Sequence, residues 1–194
     1  LKSMKQGRHL EPQLPSVQFG FDCARRQWPE KLKAPHSPYI LLLGTPDEVI
    51  WCWRDWLYDY PAKAKLKVAR HPMRDEVAMV RELCRMAPKL KLILDANCGW
   101  TREEAWTFMS HLNAANIEYI EDPCARLEDI RAVASHTGIP VALDELLSLE
   151  PRWEPFPQLK AIVIKPTLIG SLSRCKALID KAHASGLKVI ISSC

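Results

Sequence analysis

The chain has 194 residues, of which 47% are hydrophobic and 26% are charged, as in an ordinary globular protein with a sizeable core. Its net charge of +4 comes from scattered basic residues, which gives no support for a nucleic-acid partner. No apolar stretch approaches the roughly 20 residues of a membrane-spanning helix. We therefore expect no membrane partner, and the polar N-terminus predicts no signal peptide.

Cysteine usage indicates the compartment. Seven cysteines occur without any C-x-x-C pair. We therefore expect reduced thiols in a cytoplasmic protein, and neither a disulfide scaffold nor a zinc site. Because the chain begins on Leu1 and stops inside an apolar segment that resembles a buried strand, we also expect a fragment or a truncated gene product.

The N-terminal third begins with one helix and a connector. Residues 15–28 predict a helix that begins at Ser16 and buries Val17, Phe21 and either Cys23 or Ala24. A Pro- and Lys-containing connector follows at 29–38.

From residue 39 onward, apolar segments alternate with helical patterns. Capping boxes begin two of the helices, at Thr45 and at Thr101. The alternation predicts parallel βαβ units whose strands are buried on both faces. They would form either an open doubly wound sheet or a barrel short of its eighth unit. No glycine-rich phosphate motif follows the first strand, which argues against nucleotide binding. The predicted strands are 39–44, 63–68, 90–97, 117–123, 139–145, 160–166 and 188–193.

The second strand, "KAKLKV", has lysines at every other position, which places Lys63, Lys65 and Lys67 on one face. Lysines on a covered sheet need partners, because an unpaired buried charge is costly. Polar residues near the carboxyl ends of the later strands can supply them, and they follow Lys67 at intervals of 28, 26, 23, 21 and 27 residues. These residues are Asp95, Glu121, Asp144, Lys165 and Ser192.

The three acidic residues of this set predict a cation site. Adjacent carboxylates repel one another, and a divalent cation removes that repulsion. Oxygen-only ligands favour Mg²⁺ or Mn²⁺ over zinc. A single acidic residue at a strand end is usually only a helix cap, and a single strand lysine usually faces solvent. Five charged positions in register over consecutive strands favour a functional site. Crowded ammonium groups beside a cation are expected to have lowered pKa values, so that one can accept a proton.

The motifs "KLKV", "LDAN", "IEDP", "LDE" and "VIKPTLIGSL", in this order, resemble the enolase superfamily, specifically its muconate-lactonizing-like group. The resemblance covers residues from about 15 to 194. It implies a TIM-like (β/α) barrel that is incomplete, with about seven strands, in residues 39–194. Residues 1–38 would then be a connector and the remnant of an N-terminal capping domain, most of which is missing.

The resemblance also implies roles for the site residues. Mg²⁺, with Mn²⁺ as an alternative, would be bound by Asp95, Glu121 and Asp144. Lys67 would remove the proton next to a carboxylate and then assist loss of hydroxide, and Lys65 would lower the pKa of Lys67. Removal of this proton would give a negatively charged intermediate. Lys165 would stabilise that intermediate by its positive charge, from the face opposite to Lys67. Further substrate-binding candidates are Asn97, Ser192 and Ser193.

The implied activity is a dehydratase that acts on a small carboxylate. Two alternatives stay open at this point. One is a racemase or epimerase that uses the same two lysines, and the other is an inactive barrel fragment. The oligomeric state is not indicated by the residues.

Overall fold

A computed structural model describes residues 14–27, 39–55, 61–149 and 153–193. These residues form two compact units. The larger unit comprises the described residues between 39 and 161, and the smaller unit comprises residues 14–27 and 162–193. Within the described ranges, every helix is too short or too polar to cross a lipid bilayer.

The larger unit is an alternation of parallel strands and helices. Neighbouring strands pair in chain order, with Lys67 opposite Asp95 and Asp95 opposite Glu121. The helices of this unit are α2 (Pro46–Asp55), α3 (Met73–Met86), α4 (Arg102–Ser110), α5 (Leu127–Thr137) and α6 (Glu145–Leu149). Its strands are β1 (Ile40–Leu42), β2 (Lys63–Lys67), β3 (Lys91–Asp95), β4 (Ile117–Glu121), β5 (Val141–Leu143) and the first part of β6 (Leu159–Ile164).

Strand order separates the two architectures that the sequence allows. A doubly wound sheet reverses its strand order at a switch point, whereas barrel strands follow one another around the sheet. Here the order of the strands is the order of the chain, with no reversal. The structure therefore has the strand order of a (β/α) barrel.

Local sequence signals explain several helix boundaries. Thr101 accepts a hydrogen bond from the backbone N–H of Glu104 (3.2 Å), and the Glu104 side chain accepts one from the N–H of Thr101 (2.9 Å). Thr45 and Glu48 form the same reciprocal pair, so both predicted capping boxes are confirmed. Gly138 ends α5 at a φ of 69°, a left-handed conformation that favours glycine.

The core lies along the middle strands. On β2, Ala64 and Leu66 are buried, whereas the lysines between them are only half-buried. The prediction that every strand is buried is wrong for β1, where Leu41 is 53% exposed. The physical reason is position, because β1 lies at the end of the strand order and has one paired neighbour among the described residues.

The smaller unit contains α1 (Pro15–Arg25), α7 (Pro166–Ile169), α8 (Leu172–Ala184), β7 (Lys188–Ile191) and the last part of β6. Asp22 connects two of its helices, because its Oδ2 accepts a hydrogen bond from the backbone N–H of Leu172 (2.8 Å). The predicted burial of the α1 face is wrong, since Val17 is exposed and Phe21 is half-buried. β7 is likewise exposed or half-buried along its length, as expected for a strand at the end of the order.

Candidate metal centre

Three carboxylates from three successive strands converge at the carboxyl ends of the sheet. Asp95 is the last residue of β3, Glu121 is the last residue of β4, and Asp144 follows β5 directly. They are 1%, 2% and 4% exposed, and one oxygen from each lies within 4.8 Å of the others. The parallel register creates this convergence, because it aligns the strand ends at one level.

Two lysines of β2 contact this cluster directly. Lys65 Nζ lies 2.6 Å from Glu121 Oε2 and 2.9 Å from Asp95 Oδ2. Lys67 Nζ lies 2.6 Å from Asp95 Oδ2 and also donates to Asn97 Oδ1 at 2.6 Å. Lys63 is separate, because it pairs with Glu118 Oε1 at 3.1 Å. The structure thus gives each β2 lysine a carboxylate partner.

Burial and the neighbouring lysines shift the pKa values of these carboxylates in opposite directions. Burial raises the pKa of Glu121 to about 7, although Lys65 opposes that shift. Burial also acts to raise the pKa of Asp95, but hydrogen bonds and charge from Lys67 and Lys65 outweigh it, so that pKa is lowered. Glu121 and Asp95 therefore have unequal proton affinities within one cluster.

The pKa of Lys65 is set mainly by burial and by its two carboxylate partners. Burial acts to lower it, but attraction to Glu121 and Asp95 is stronger, so the pKa lies above its ordinary value. The lowered lysine pKa expected from the sequence applies to ammonium groups beside a bound cation, and it stays a prediction.

The donor set fits a hard divalent cation. Three buried carboxylates lie together here, and Lys65 and Lys67 contact two of them, Glu121 and Asp95. All the donors are oxygens, the ligands that Mg²⁺ prefers. A cation bound by the three carboxylates would reduce the repulsion between them and leave coordination positions for a substrate or for water.

Asp122 is a site residue that the sequence analysis missed. It is fully buried, and its Oδ2 accepts hydrogen bonds from the backbone N–H groups of Asp144 (3.2 Å) and Leu146 (3.0 Å). Its own backbone N–H donates to Ala142, and its carbonyl accepts from Cys98. Asp122 therefore fixes the chain after β3, β4 and β5. The available signal was the acidic pair Glu121–Asp122, of which only the first residue was assigned.

Glu76 is a second residue that was missed. It is fully buried in the first turn of α3, and its carboxylate accepts hydrogen bonds from the backbone N–H groups of Ala69, Arg70 and His71 (2.9–3.0 Å). These bonds fix the loop that follows the lysine-bearing strand. Nothing in the sequence distinguishes Glu76 from an ordinary acidic residue at the start of a helix.

The remaining predicted site residues lie at other strand ends. Asn97, at a φ of 45°, accepts a hydrogen bond from Lys67 and donates one from Nδ2 to Glu145 Oε1 (3.1 Å). Lys165 directly follows β6 in the smaller unit, where it precedes α7. Ser192 and Ser193 follow β7, and the N–H of Ser192 donates to Ile164. The roles of these residues stay predictions.

Comparison with known proteins assigns the chain. The family model described as "Enolase C-terminal domain-like" matches residues 54–194, which is well over half of the sequence. The chain belongs to this family. Family membership and the strand order together make the fold an incomplete (β/α) barrel of the enolase superfamily, with seven strands where a closed barrel has eight.

Curated relatives narrow the resemblance within the family. The chain is 38% identical to the o-succinylbenzoate synthase of Yersinia enterocolitica over 188 residues, which cover 93% of this chain and 57% of the relative. It is equally similar to the o-succinylbenzoate synthase of Pectobacterium atrosepticum, with 92% and 57% covered. The chain therefore spans somewhat more than half the length of these curated relatives.

Solved structures agree on the fold. An o-succinylbenzoate synthase from Thermosynechococcus elongatus, with magnesium in its active site, has a TM-score of 0.69 at 24% identity. That match covers 95% of this chain and 63% of the other. The L-Ala-D/L-Glu epimerase of Bacillus subtilis has a TM-score of 0.67 at 25% identity, with 81% and 46% covered.

Proposed function

We propose that the chain is the catalytic barrel of an o-succinylbenzoate synthase. The reaction would dehydrate 2-succinyl-6-hydroxy-2,4-cyclohexadiene-1-carboxylate to 2-succinylbenzoate in menaquinone biosynthesis. The supporting relatives are the synthases that are 38% identical to this chain. The observation that carries the proposal is an amine, Lys67, in contact with a buried cluster of three carboxylates.

The proposed chemistry needs both parts of that arrangement. A proton next to a carboxylate is very weakly acidic, so its removal requires stabilisation of the negative charge that develops. Mg²⁺ held by Asp95, Glu121 and Asp144 would supply that stabilisation as a Lewis acid. Lys67 would take the proton in its neutral form and return it to the departing hydroxide on the same face. Water leaves, and the ring becomes aromatic.

The two β2 lysines are suited to different roles. Lys65 contacts two carboxylates, and its raised pKa keeps it charged, so we assign it a positioning and electrostatic role. The Lys67 side chain is 27% exposed against 15% for Lys65, and its second partner is the neutral amide of Asn97. Lys67 is therefore the better placed of the two to meet a substrate.

The other assignments rest mainly on the resemblance. Lys165 would stabilise the dianionic intermediate by its charge. Asn97, Ser192 and Ser193 are assigned to substrate binding, and Asn97 also positions Lys67 through the hydrogen bond that its Oδ1 accepts. Residues 1–38 are proposed to be the connector and the remnant of a capping domain, and residues 39–194 to be the barrel. A cytoplasmic location belongs to the same proposal, supported by six free cysteines among the described residues.

The direct test is a dehydration assay in which aromatisation is followed by ultraviolet absorbance. It is made on this chain and on any longer reading frame that contains it, with Mg²⁺ and with a chelator. We expect Mg²⁺-dependent formation of 2-succinylbenzoate. Absence of product from the longest frame, in a folded protein that binds Mg²⁺, would overturn the proposal.

A racemase or epimerase is the second candidate, because the Bacillus subtilis epimerase is about as similar in fold as the synthase structure. The two functions differ in their product. An epimerase would incorporate solvent deuterium at the α-carbon of a dipeptide or an N-acylamino acid, without any dehydration. An inactive fragment would do neither, and a thermal melt monitored by circular dichroism would show whether this chain folds cooperatively.

A further inference from the structure

A second group of potential ligands lies one to three residues beyond the first in sequence. It consists of Cys98, Asp122 and Glu145, which we call the thiol cluster. One ligand atom from each of these residues lies within 4.8 Å of the others. These residues are distinct from the oxygen-only cluster of Asp95, Glu121 and Asp144, and the proposed dehydration uses none of them.

Asp122 is the residue that points to a ligand in the thiol cluster. Its Oδ2 is satisfied by two backbone N–H groups, but its Oδ1 is buried and accepts no hydrogen bond. The Glu145 carboxylate lies close by, with one of its ligand oxygens within 4.8 Å of one on Asp122. No lysine, arginine or histidine in the described ranges forms an ion pair with Asp122. An unsatisfied, fully buried carboxylate oxygen beside a second carboxylate calls for a positive group between them.

The neighbouring residues hold the cluster in place. The backbone N–H of Cys98 donates to the carbonyl of Asp122 (2.8 Å). This bond holds the loop that carries the Cys98 thiol against the end of β4. Asn97 Nδ2 donates to Glu145 Oε1 (3.1 Å), which orients that carboxylate as an outer hydrogen bond orients a metal ligand. Cys98 and Glu145 are half-buried, so one side of the cluster remains open to solvent.

We propose that Cys98, Asp122 and Glu145 form a second cation site, which takes a thiophilic divalent ion such as Zn²⁺ or Cd²⁺. One thiolate and two carboxylates suit such an ion, and three protein ligands leave a fourth position for water. The site differs in chemistry from the oxygen-only cluster, which favours Mg²⁺. The cysteine spacing could not indicate it, because the donors come from three separate strand ends.

An ion in this site would cross-link the loops that follow β3, β4 and β5. Those loops begin directly after Asp95 and Glu121 and at Asp144. We therefore assign the ion a clamping role that stabilises the carboxyl end of the sheet. This role does not depend on which reaction the barrel catalyses.

The test is a Cd²⁺ titration of the full chain in saturating Mg²⁺, followed by the ultraviolet charge-transfer absorbance of a cadmium–thiolate bond. We expect one Cd²⁺ per chain with this signature, together with a rise in melting temperature. Cys98→Ser should abolish the signature, and Asp122→Asn should weaken Cd²⁺ binding by about tenfold or more. The asparagine can still accept the two backbone hydrogen bonds, which preserves the fold.

Two controls separate this site from the others. Cys84 is half-buried like Cys98 but lies on α3, so Cys84→Ser should leave the signature unchanged. Asp95→Asn should weaken Mg²⁺ binding but leave the thiolate signature intact, which distinguishes this site from the oxygen-only cluster. Loss of the signature in Asp95→Asn with its persistence in Cys98→Ser would overturn the proposal.

Thiol alkylation of the wild-type chain tests the site without any substitution, so it remains informative if a variant fails to fold. Zn²⁺ should slow alkylation of the Cys98 thiol, and mass spectrometry should show no comparable slowing at Cys84. Equal alkylation of Cys98 with and without Zn²⁺ would contradict the site.

Discussion

The two ends of the β2 strand carry the same residue types in different electrostatic settings. At the amino end, Lys63 and Glu118 form an ion pair. At the carboxyl end, Lys65 and Lys67 contact Asp95 and Glu121, which cluster with a third carboxylate, Asp144. A half-buried ion pair adds modestly to stability, whereas clustered buried carboxylates repel one another unless a cation binds them. The difference marks the carboxyl end as the functional one.

Substituting one lysine at each end of β2 should produce the largest difference in catalytic rate. Lys67→Met removes the proposed base, and we expect kcat for dehydration to fall by about 10³-fold, which is typical for loss of an acid–base group. Lys63→Met on the same strand should leave kcat near the wild-type value. Calorimetric Mg²⁺ binding confirms that both variants are folded. Equal activity in the two variants would remove the functional distinction between the strand ends.

Asp122 holds the backbone at the carboxyl ends of the strands, so its substitution should affect stability and metal binding at that end of the sheet. Asp122→Ala leaves the buried backbone N–H groups of Asp144 and Leu146 without an acceptor, which should cost about 2 kcal/mol or more in the free energy of unfolding. Mg²⁺ affinity should fall as well, because Asp144 loses its restraint. Asp122→Asn keeps an acceptor and is the matched control. Urea unfolding and calorimetry measure both effects, and alanine and asparagine variants of equal stability would rule out the bracing role.

The pH dependence of stability reports the burial and the mutual repulsion of the clustered carboxylates. The raised pKa of Glu121, about 7 against an ordinary 4.5, means that the folded state holds a proton that the unfolded state has already released. Stability from this group is fully present below pH 4.5 and is lost as the pH rises through about 7. Without Mg²⁺, Glu121→Gln should therefore gain on the order of 2 kcal/mol relative to wild type across that window.

Asp95 should change the pH dependence of stability in the opposite direction to Glu121. Its pKa is lowered, so its stabilisation is present above the unfolded value and is lost as the pH falls. Asp95→Asn should accordingly lose stability near neutral pH, where Glu121→Gln gains it. Parallel pH profiles of unfolding for the two variants would contradict the charge arrangement described above.

The smallest effect is expected at the amino end. Lys63→Met or Glu118→Gln should lower the free energy of unfolding by about 1 kcal/mol, since a partly exposed ion pair contributes little. Neither change should alter Mg²⁺ affinity, because the pair does not contact the carboxylate cluster. A loss of Mg²⁺ affinity in Lys63→Met would show that the two ends are coupled.

Local and periodic signals predicted much of this molecule correctly. Alternating lysines defined the face of β2, capping boxes began α2 and α4, and the repeat of strand and helix indicated the (β/α) architecture. The spacing of Asp95, Glu121 and Asp144 also predicted that they would meet, and they do. Such signals succeed because strand periodicity and parallel register are set by short stretches of chain.

The errors and omissions share a physical cause. The burial of β1 and of the α1 face was overestimated, because apolar composition does not reveal which elements lie at an edge. The ion pairs of Lys65 could not be assigned from the sequence, because they depend on ångström-scale distances to two carboxylates. Asp122 and Glu76 were missed because their importance lies in the backbone N–H groups that they accept.

The amino-acid sequence by itself determined the order of the elements, the register of the charged strand ends and the family resemblance. Each of these depends on residue type and interval along one chain. The tertiary structure alone decided which charges pair, which carboxylate has a raised pKa and which buried oxygen lacks a donor. Those properties depend on distance and dielectric environment, which become defined only when separate strands are brought together.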